Sequence, residues 1–332
     1  ENTINWDKNN IEHQGLCKID VLGLKMLSVL NYAKELIKQN HGVDIIFEEI
    51  PLNDERSYKE FSKANTTGCF QLGSTNIKKF CKQLGIDTFD TLVAATSLFR
   101  PGPLNAGSTE IYARRKNGEE TVPQIHPILD EITKDTYGTI IYQETLMLIM
   151  YRLAGMEWKT VDKVRKLVAK SRGADALRKY EEEFVQGCIK NKTLREDQAL
   201  SLWNDLVGFG QYGFNLSHAV AYSYITVWDM YLKVYYPVEF ICALLTYGTD
   251  NNDMKEEYIE EAFRLGLDIR GPKIGISKAD QWTIKNNILY MPYSEISGVG
   301  DKTSLQFEKL KLNAETKGFA KKEEKSPVST RF

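Results

Sequence analysis

The sequence lacks several patterns that would assign it to a class at once. No apolar run approaches the roughly 18 residues that a membrane span needs, and no signal-peptide pattern is present. The five cysteines are far apart without a CxxC pair, and only four histidines are present. This spacing argues against a zinc site or a disulfide framework and suits a reducing compartment. We therefore expect a cytoplasmic protein without a membrane partner.

Charge of one sign is not in excess either. The 332 residues carry 43 Lys and Arg against 45 Asp and Glu, so the net charge predicts no partner. The cations are nevertheless concentrated between residues 159 and 179. A local basic surface of this kind can bind phosphate groups although the whole chain is slightly acidic. The cations concerned are Lys159, Lys163, Arg165, Lys166, Lys170, Arg172, Arg178 and Lys179.

Helical periodicity dominates the chain. In "STNIKKFCKQLG", residues 74–85, apolar side chains recur at i, i+3, i+4 and i+7, with Gly85 as the stop. Residues 24–42 show a similar apolar stripe that Gly42 ends. The pattern predicts a mainly α fold. Further helices are predicted at about 143–154, 160–171, 175–191, 195–207, 218–234, 238–247 and 256–265.

Two parts of the sequence favour strands instead. "GLCKIDVLGL", residues 15–24, is a short apolar run around Asp20 and predicts a buried strand that turns into the first long helix. "QWTIKNNILYMP", residues 281–292, predicts a hairpin with Asn286 and Asn287 at its turn. A small α+β region is therefore expected to follow the helices.

The composition changes after Gly248. "GTDNNDM" is a linker by composition. "SGVGDK", residues 297–302, is a tight glycine turn that leads into a helix. The stretch 313–332 is charged and aperiodic, and we expect it to be disordered.

Asp20 is the first candidate for chemistry. A carboxylate in an apolar run is costly to bury unless it is paired or bound to a metal. The residue is either a Mg²⁺ ligand at the end of a strand or a cap for the following turn.

Arg100 is the second candidate. In "LFRPGPLNAG", Pro101 and Pro103 fix φ, so Arg100 is expected on a stiff loop after an apolar helix. Arginine can bind phosphate with two donors. The alternative is a helix stop with a solvated arginine.

The basic stretch "TVDKVRKLVAKSRG" is the third. Lys163, Lys166 and Lys170 fall on one helix face and the valines on another. This face either contacts phosphates or is simply solvated.

"GQYGFNLSHAVAYS", residues 210–223, is the fourth. Asn215 and Ser217 are helix-cap types, and a helix start presents N–H groups that favour phosphate. Rings one turn further on, such as Tyr222, could contact a base or a sugar. The alternative is a glycine hinge before a core helix with a hydrogen-bonded His218.

Together and in this order, these stretches resemble the bacterial C-family replicative DNA polymerases, the polymerase III alpha subunits. The likeness covers roughly residues 5 to 310. Further blocks that carry it are "TTGCFQLGS", "HPILDEITKDTYGTIIYQE", "YGFNLSHAVAYS", "YYPVEFICALLT" and "YIEEAFRLGLDI".

The resemblance implies a nucleotidyltransferase that works in DNA replication. In the family, a primer hydroxyl attacks a deoxynucleoside triphosphate (dNTP), and three aspartates hold two Mg²⁺ ions. Asp20 matches the third aspartate, and His218 matches the position that crowds the sugar. Tyr212 and Phe214 are expected to shape the same pocket. The remaining implied nucleotide-binding positions are Arg100, Arg165, Lys166, Lys170, Asn215 and Ser217.

The resemblance also implies that the glycine turn at residues 297–302 binds DNA. Gly298, Gly300 and Lys302 resemble a helix–hairpin–helix element, whose amides hold a DNA phosphate without reading sequence. Any other tight turn could share this pattern.

The resemblance also divides the chain. It implies the end of the palm at 1–26, helical fingers at 27–248, the start of the next region at 249–312 and a polar tail at 313–332. Partners would be template–primer DNA, dNTPs, the rest of the palm and thumb, and a sliding clamp bound through a downstream region.

The chain departs from the family in several ways. It starts at Glu1 without the first two aspartates, so we expect a fragment or one product of a split gene that does not polymerise DNA alone. The family usually has Lys at the position of Leu216 and Glu at the position of Gly73. Two alternatives from other classes are a non-catalytic DNA-binding module and a helical scaffold subunit.

Overall fold

The computed structural model describes residues 4–17, 19, 22–105, 107–169, 174–210, 213–249 and 251–310. This part of the chain is mainly helical, as predicted. Its α-helices are α1 (Lys8–His13), α2 (Lys25–His41), α3 (Glu55–Ser62), α4 (Thr75–Leu84), α5 (Phe89–Leu98), α6 (Pro101–Asn105), α7 (Ser108–Lys116), α8 (Pro127–Ile132), α9 (Gln143–Arg152), α10 (Trp158–Ala169), α11 (Ala174–Lys190), α12 (Glu196–Gly210), α13 (Leu216–Tyr235), α14 (Pro237–Ala243), α15 (Asn252–Arg264) and α16 (Asp301–Lys309).

The predicted helices form close to their expected bounds, because side chains of one type recur on one face. In α4, Ile77, Phe80, Cys81 and Leu84 are all buried. Its end at Gly85 adopts the left-handed conformation, φ 63°, which a residue without Cβ adopts at little cost. The segment predicted as one helix at 238–247 is instead α14 followed by a π-helical turn, Leu244–Gly248.

The small sheet has three strands in the order β1–β3–β2. β2 (Thr283–Lys285) and β3 (Ile288–Tyr290) are the predicted antiparallel hairpin. Asn286 and Asn287 both have positive φ, 52° and 62°, as a two-residue hairpin turn requires. β1 (Asp268–Arg270) pairs parallel with β3 and was not predicted, because three residues carry too little alternation to be recognised.

The prediction of a buried strand at residues 15–24 is wrong for the residues that the structure describes. They lie in no strand, and Ile19 and Leu22 are 79% and 88% exposed. A strand needs a neighbour to receive its backbone hydrogen bonds, and no described strand lies beside this segment. Asp20 itself lies outside the described residues.

The larger core surrounds α13. This helix contacts α2, α3, α5 and α14, so it is enclosed on several sides. Its buried residues therefore include apolar side chains such as Met230 and Leu232 together with polar ones such as Asp229 and Lys233. The same core continues into the region after the linker through Trp282 and Leu289.

A second core joins α9, α10, α11 and α12. Phe184 and Trp203 are its large buried rings, with centroids 5.4 Å apart. Val161 and Val164 bury the apolar face of α10 here, as the sequence pattern predicts, and leave the lysine face to solvent. Among the described residues, no helix is both long and apolar enough to cross a membrane.

Candidate nucleotide-binding site

The segment before α13 is held against the start of α9. Phe214 donates its amide to the carbonyl of Ile141 at 3.1 Å and accepts from the amide of Gln143 at 2.9 Å. This forms an isolated parallel bridge between Tyr142 and Phe214. Two backbone hydrogen bonds therefore fix Phe214 against the start of α9, and its ring has a defined position.

The Gln143 side chain brings Arg165 to the same place. Its amide nitrogen donates to the carbonyl of Gly213 at 3.1 Å, and its amide oxygen accepts from Arg165 Nη1 at 3.2 Å. Arg165 also donates to Asp162 Oδ1 from Nε and Nη2, at 3.2 and 2.9 Å. The guanidinium is thus oriented by two partners from different helices.

Glu144 and Asn215 organise the first turn of α13. The Asn215 side chain accepts from the amide of His218 at 2.8 Å, which confirms it as the helix cap. Glu144 accepts from the Leu216 amide at 2.9 Å and from Asn215 Nδ2 at 3.1 Å. Two of the first three helix amides are therefore already occupied, so side chains must supply most of any anion binding at this end.

Arg100 stands over a row of rings. Its guanidinium carbon lies 4.6 Å from the Phe214 ring centroid, a cation–π contact. Phe214 is 5.4 Å from the His218 ring, His218 is 4.0 Å from Tyr222, and Tyr222 is 5.3 Å from Phe70. We call Phe214, His218, Tyr222 and Phe70 the ring row. Each ring fixes its neighbour, and the exposed His218 lies near the cationic end.

Arg100 lies in the two-residue bend between α5 and α6, after the apolar helix as the sequence predicted. Its carbonyl accepts from the Leu104 amide at 3.1 Å, so the proline-containing stretch closes into a short helix. Proline is well suited to the first helical position, because its amide would have no partner there. The two prolines therefore lie in a short helix that begins directly after Arg100.

The far end of the ring row is anchored to α13 through a buried carboxyl. Phe70 donates its amide to Asp229 Oδ2 at 2.8 Å, and its carbonyl accepts from the Thr226 hydroxyl at 3.1 Å. Asp229 is fully buried and its Oδ1 has no hydrogen-bond partner among the described residues. Burial raises the pKa of Asp229 well above that of an exposed aspartate, although the Phe70 amide and Lys233 oppose the rise.

This burial predicts a pH effect. Because the folded state holds the Asp229 proton more tightly than the unfolded chain, its stabilising contribution is present below about pH 4 and is lost as the pH rises through the folded pKa. Relative to Asp229→Asn, the wild-type free energy of unfolding should fall by up to about 1.4 kcal/mol per pH unit in that window. Urea unfolding between pH 4 and 8 measures it.

Thr226→Val is the matched control, because it removes the other bond to Phe70 without a titrating group. Its loss of stability should be the same at every pH. A constant difference between wild type and Asp229→Asn over the whole range would show that the carboxyl is ionised throughout.

The structure brings together four of the predicted nucleotide-binding residues, namely Arg100, Arg165, Asn215 and His218. Ser217 lies exposed in the same first turn of α13. Lys166 follows Arg165 on α10 and is ion-paired to Asp162 at 2.7 Å with most of its side chain in solvent. Lys170 and Tyr212 lie outside the described residues, as does Asp20.

The predicted DNA-binding turn forms at the start of α16. Gly298 has φ 82°, which a residue with Cβ rarely adopts, and Gly300 is the residue before the helix. The Gly300 carbonyl accepts from the amides of Thr303 and Ser304, both at 3.0 Å, and Lys302 is exposed. Contact with DNA at this turn stays a prediction.

Gln143, Glu144 and Asp229 were missed as site residues. Gln143 and Glu144 are about 70 residues from their partners, so no local spacing marks them. Asp229 could have been found, since it is an acid in an apolar run of the helix and a buried carboxyl needs a reason.

The described residues do not fit a magnesium ion. Within the part of the chain that the structure describes, no group of three or more His, Cys, Asp or Glu could hold a metal. The two acids at the site, Glu144 and Asp162, are bonded to amide groups or to cations. The charge that these acids leave uncompensated at the described site is therefore positive and comes from Arg100, which has no ion pair with a described residue.

A helical fold that places Arg100 over a row of rings, with Arg165 bonded to the neighbouring Gln143, defines a candidate anion- or nucleotide-binding domain. A family model described as "Bacterial DNA polymerase III alpha subunit finger domain" matches residues 26–192, about half of the chain. The chain belongs to this family of bacterial DNA polymerase III alpha subunits.

Curated relatives named DNA polymerase III subunit alpha agree with this assignment. The protein of Aquifex aeolicus is 39% identical over 95% of this chain and 27% of its own length. That of Saccharopolyspora erythraea is 33% identical over 92% of this chain and 26% of its own. That of Campylobacter jejuni is 36% identical over 81% and 22%. The chain thus spans about a quarter of the length of the relatives it matches.

Proposed function

We propose that this chain is the fingers region of a DNA-directed DNA polymerase that acts in DNA replication, and that it binds the incoming dNTP. The observation that carries the proposal is that two arginines lie close to the segment before α13. Arg100 lies over the Phe214 ring next to His218, and Arg165 is hydrogen-bonded to Gln143, which in turn bonds Gly213. These residues come from three separate parts of the sequence, and a purely structural hinge would not need two arginines there.

The arginines would bind the triphosphate. A guanidinium offers several donors in a fixed fork, and charge-assisted bonds to phosphate are about twice as strong as neutral ones. Arg165 is already oriented by Gln143 and Asp162, and Arg100 by the face of Phe214. Lys166 and Lys170 would add charge along the same helix, and Asn215 and Ser217 would line the start of α13.

His218 would discriminate between sugars. Its ring is held edge-on between Phe214 and Tyr222, so it has little freedom to move aside. A 2′-hydroxyl pressed against a fixed ring is costly, whereas a deoxyribose leaves the space open.

The described residues would only bind and orient the nucleotide. Asp20 would be one of three aspartates around two Mg²⁺ ions, with the other two supplied by palm strands that this sequence does not contain. Template–primer DNA, the rest of the polymerase and a sliding clamp would be its partners. Gly298, Gly300 and Lys302 would hold a phosphate of the duplex.

The test is dNTP binding to this chain in the presence of primed template. Arg100→Ala should weaken binding about ten- to a hundred-fold, because it removes charge-assisted bonds worth about 1.5–3 kcal/mol. His218→Ala should keep dNTP affinity within about ten-fold and raise the affinity for the matching ribonucleotide. Isothermal titration with each nucleotide measures both.

Arg195→Ala is the matched control, since Arg195 is exposed and pairs only locally with Asp197. The affinity of the Arg195→Ala variant for dNTP should stay close to that of the wild type. If Arg100→Ala behaves like Arg195→Ala while DNA binding persists, the chain is a DNA-binding module rather than a nucleotide-binding one.

A further inference from the structure

Two exposed aromatic rings lie outside the second core, one near the end of α9 and one at the start of α10. Tyr151 and Trp158 are 49% and 51% exposed, and their centroids are 5.6 Å apart with perpendicular planes. Leu148, one turn before Tyr151, is also exposed. Large rings in solvent are uncommon as a contiguous pair, and such patches mark sites of interaction.

A row of lysines runs from these rings along α10. Lys159, Lys163 and Lys166 recur at i, i+4 and i+7, so they share one face with steps of about 6 and 4.5 Å along the axis. All three are exposed, and neither Lys159 nor Lys163 forms an ion pair with a described residue. This face therefore carries positive charge that the fold itself does not use.

The lysine row ends at the candidate nucleotide site. Arg165, adjacent to Lys166, is bonded to Gln143, and about 10 Å of helix axis separate it from Trp158. We call Tyr151, Trp158, Lys159, Lys163 and Lys166 the α10 track. It runs from the ring pair toward Arg165, which is bonded through Gln143 to Gly213 beside Phe214.

We propose that the α10 track binds an unpaired stretch of DNA next to the nucleotide site, an inference that rests on the proposed function. Aromatic platforms beside a positively charged path are the combination by which proteins bind single strands, since every base has a face that can stack. Bases in a duplex hide these faces from side chains. A protein partner would account for the rings but not for the unpaired lysines.

The experiment is binding of a fluorescein-labelled oligothymidine to this chain, measured by anisotropy at several salt concentrations. Trp158→Ala should weaken binding about ten-fold, whereas Trp158→Phe should retain most of it. Lys159→Gln with Lys163→Gln should reduce the slope of log affinity against log salt by about 1.4, because two phosphate contacts are lost. Circular dichroism shows whether each variant is folded.

The controls remove the same groups elsewhere. Trp6→Ala deletes a tryptophan of similar exposure, and Lys79→Gln with Lys82→Gln removes two exposed charges from α4. Neither should change the affinity by more than about two-fold. An equal loss in these controls, or an equal effect of Trp158→Ala on a blunt duplex, would overturn the proposal.

Nucleotide titration separates this proposal from the previous one. Trp158→Ala should leave dNTP affinity unchanged, and Arg100→Ala should leave oligothymidine affinity unchanged. Loss of single-strand binding in Trp158→Ala with no response of dNTP binding to Arg100→Ala would support the α10 track and contradict the nucleotide site.

Discussion

Replacing Gly187 by alanine should destabilise the second core by about 3 kcal/mol or more. Gly187 lies inside α11, and a methyl group there would overlap the carbonyl oxygen of Ala154 and lie 3.0 Å from its carbonyl carbon. These are backbone atoms, so no flexible side chain can move aside. The Leu153 carbonyl next to them is further held by Thr193 and Asn191, at 3.0 and 3.3 Å.

Gly208→Ala is a control on an exposed position of a helix of the second core, and its expected effect has the opposite sign. Gly208 lies in α12, and no atom is within 4 Å of the position that its Cβ would take. Alanine there should stabilise by about 0.5–1 kcal/mol, because it restricts the unfolded chain and favours the helix. Guanidinium unfolding followed by helical circular dichroism measures both variants. Equal effects of the two substitutions would contradict close packing of α11 on Ala154.

Replacing Lys233 by methionine should cost about 3–5 kcal/mol. Lys233 is buried, forms an ion pair with the equally buried Glu261, and donates to the carbonyls of Asn65 and Thr67 at 2.8 and 2.7 Å. Methionine fills the space but leaves the carbonyls without their donor and Glu261 with Arg264 alone. Burial would raise the pKa of Glu261, yet Arg264 and Lys233 outweigh it and hold that pKa below its ordinary value.

Arg152→Met is the matched control, because Arg152 pairs with Glu131 in solvent at 2.9 Å. That change should cost no more than about 1 kcal/mol. The double variant Lys233→Met with Glu261→Met should recover part of the loss, since no buried carboxylate is then left behind. Denaturant unfolding of the four proteins is the measurement. A loss at Lys233 no larger than that at Arg152 would contradict a buried network.

The sequence predicted the elements whose signal is local. The stripe of Ile77, Phe80, Cys81 and Leu84 required only a helical period, and Asn286–Asn287 required only a turn type. The mainly α fold with a small α+β region followed from such signals. Local patterns also misled, because the apolar run around Ile19 and Leu22 looks like a strand but has no described strand beside it.

The sequence named candidate residues for the site but not the hydrogen bonds that hold them together. Arg100 and His218 were found through blocks of sequence that resemble a family, whereas no pattern connects Gln143 to Gly213 or Glu144 to Leu216 across about 70 residues. Hydrogen bonds between distant segments depend on how the helices pack, and a local sequence pattern does not determine that packing. The partners of Asp229 and Lys233 could not be predicted for the same reason, because they too lie far away in the sequence.

Lys233 has a consequence for how this part of the molecule can move. It fastens the loop at Asn65 and Thr67 to α13 and, through Glu261, to α15 beyond the linker. Moving α15 away from α13 would leave the buried charges of Lys233 and Glu261 without each other, so α15 is not free to move independently of α13. Because α15 also contacts β1, we expect α13, α15 and the small sheet to move together rather than independently.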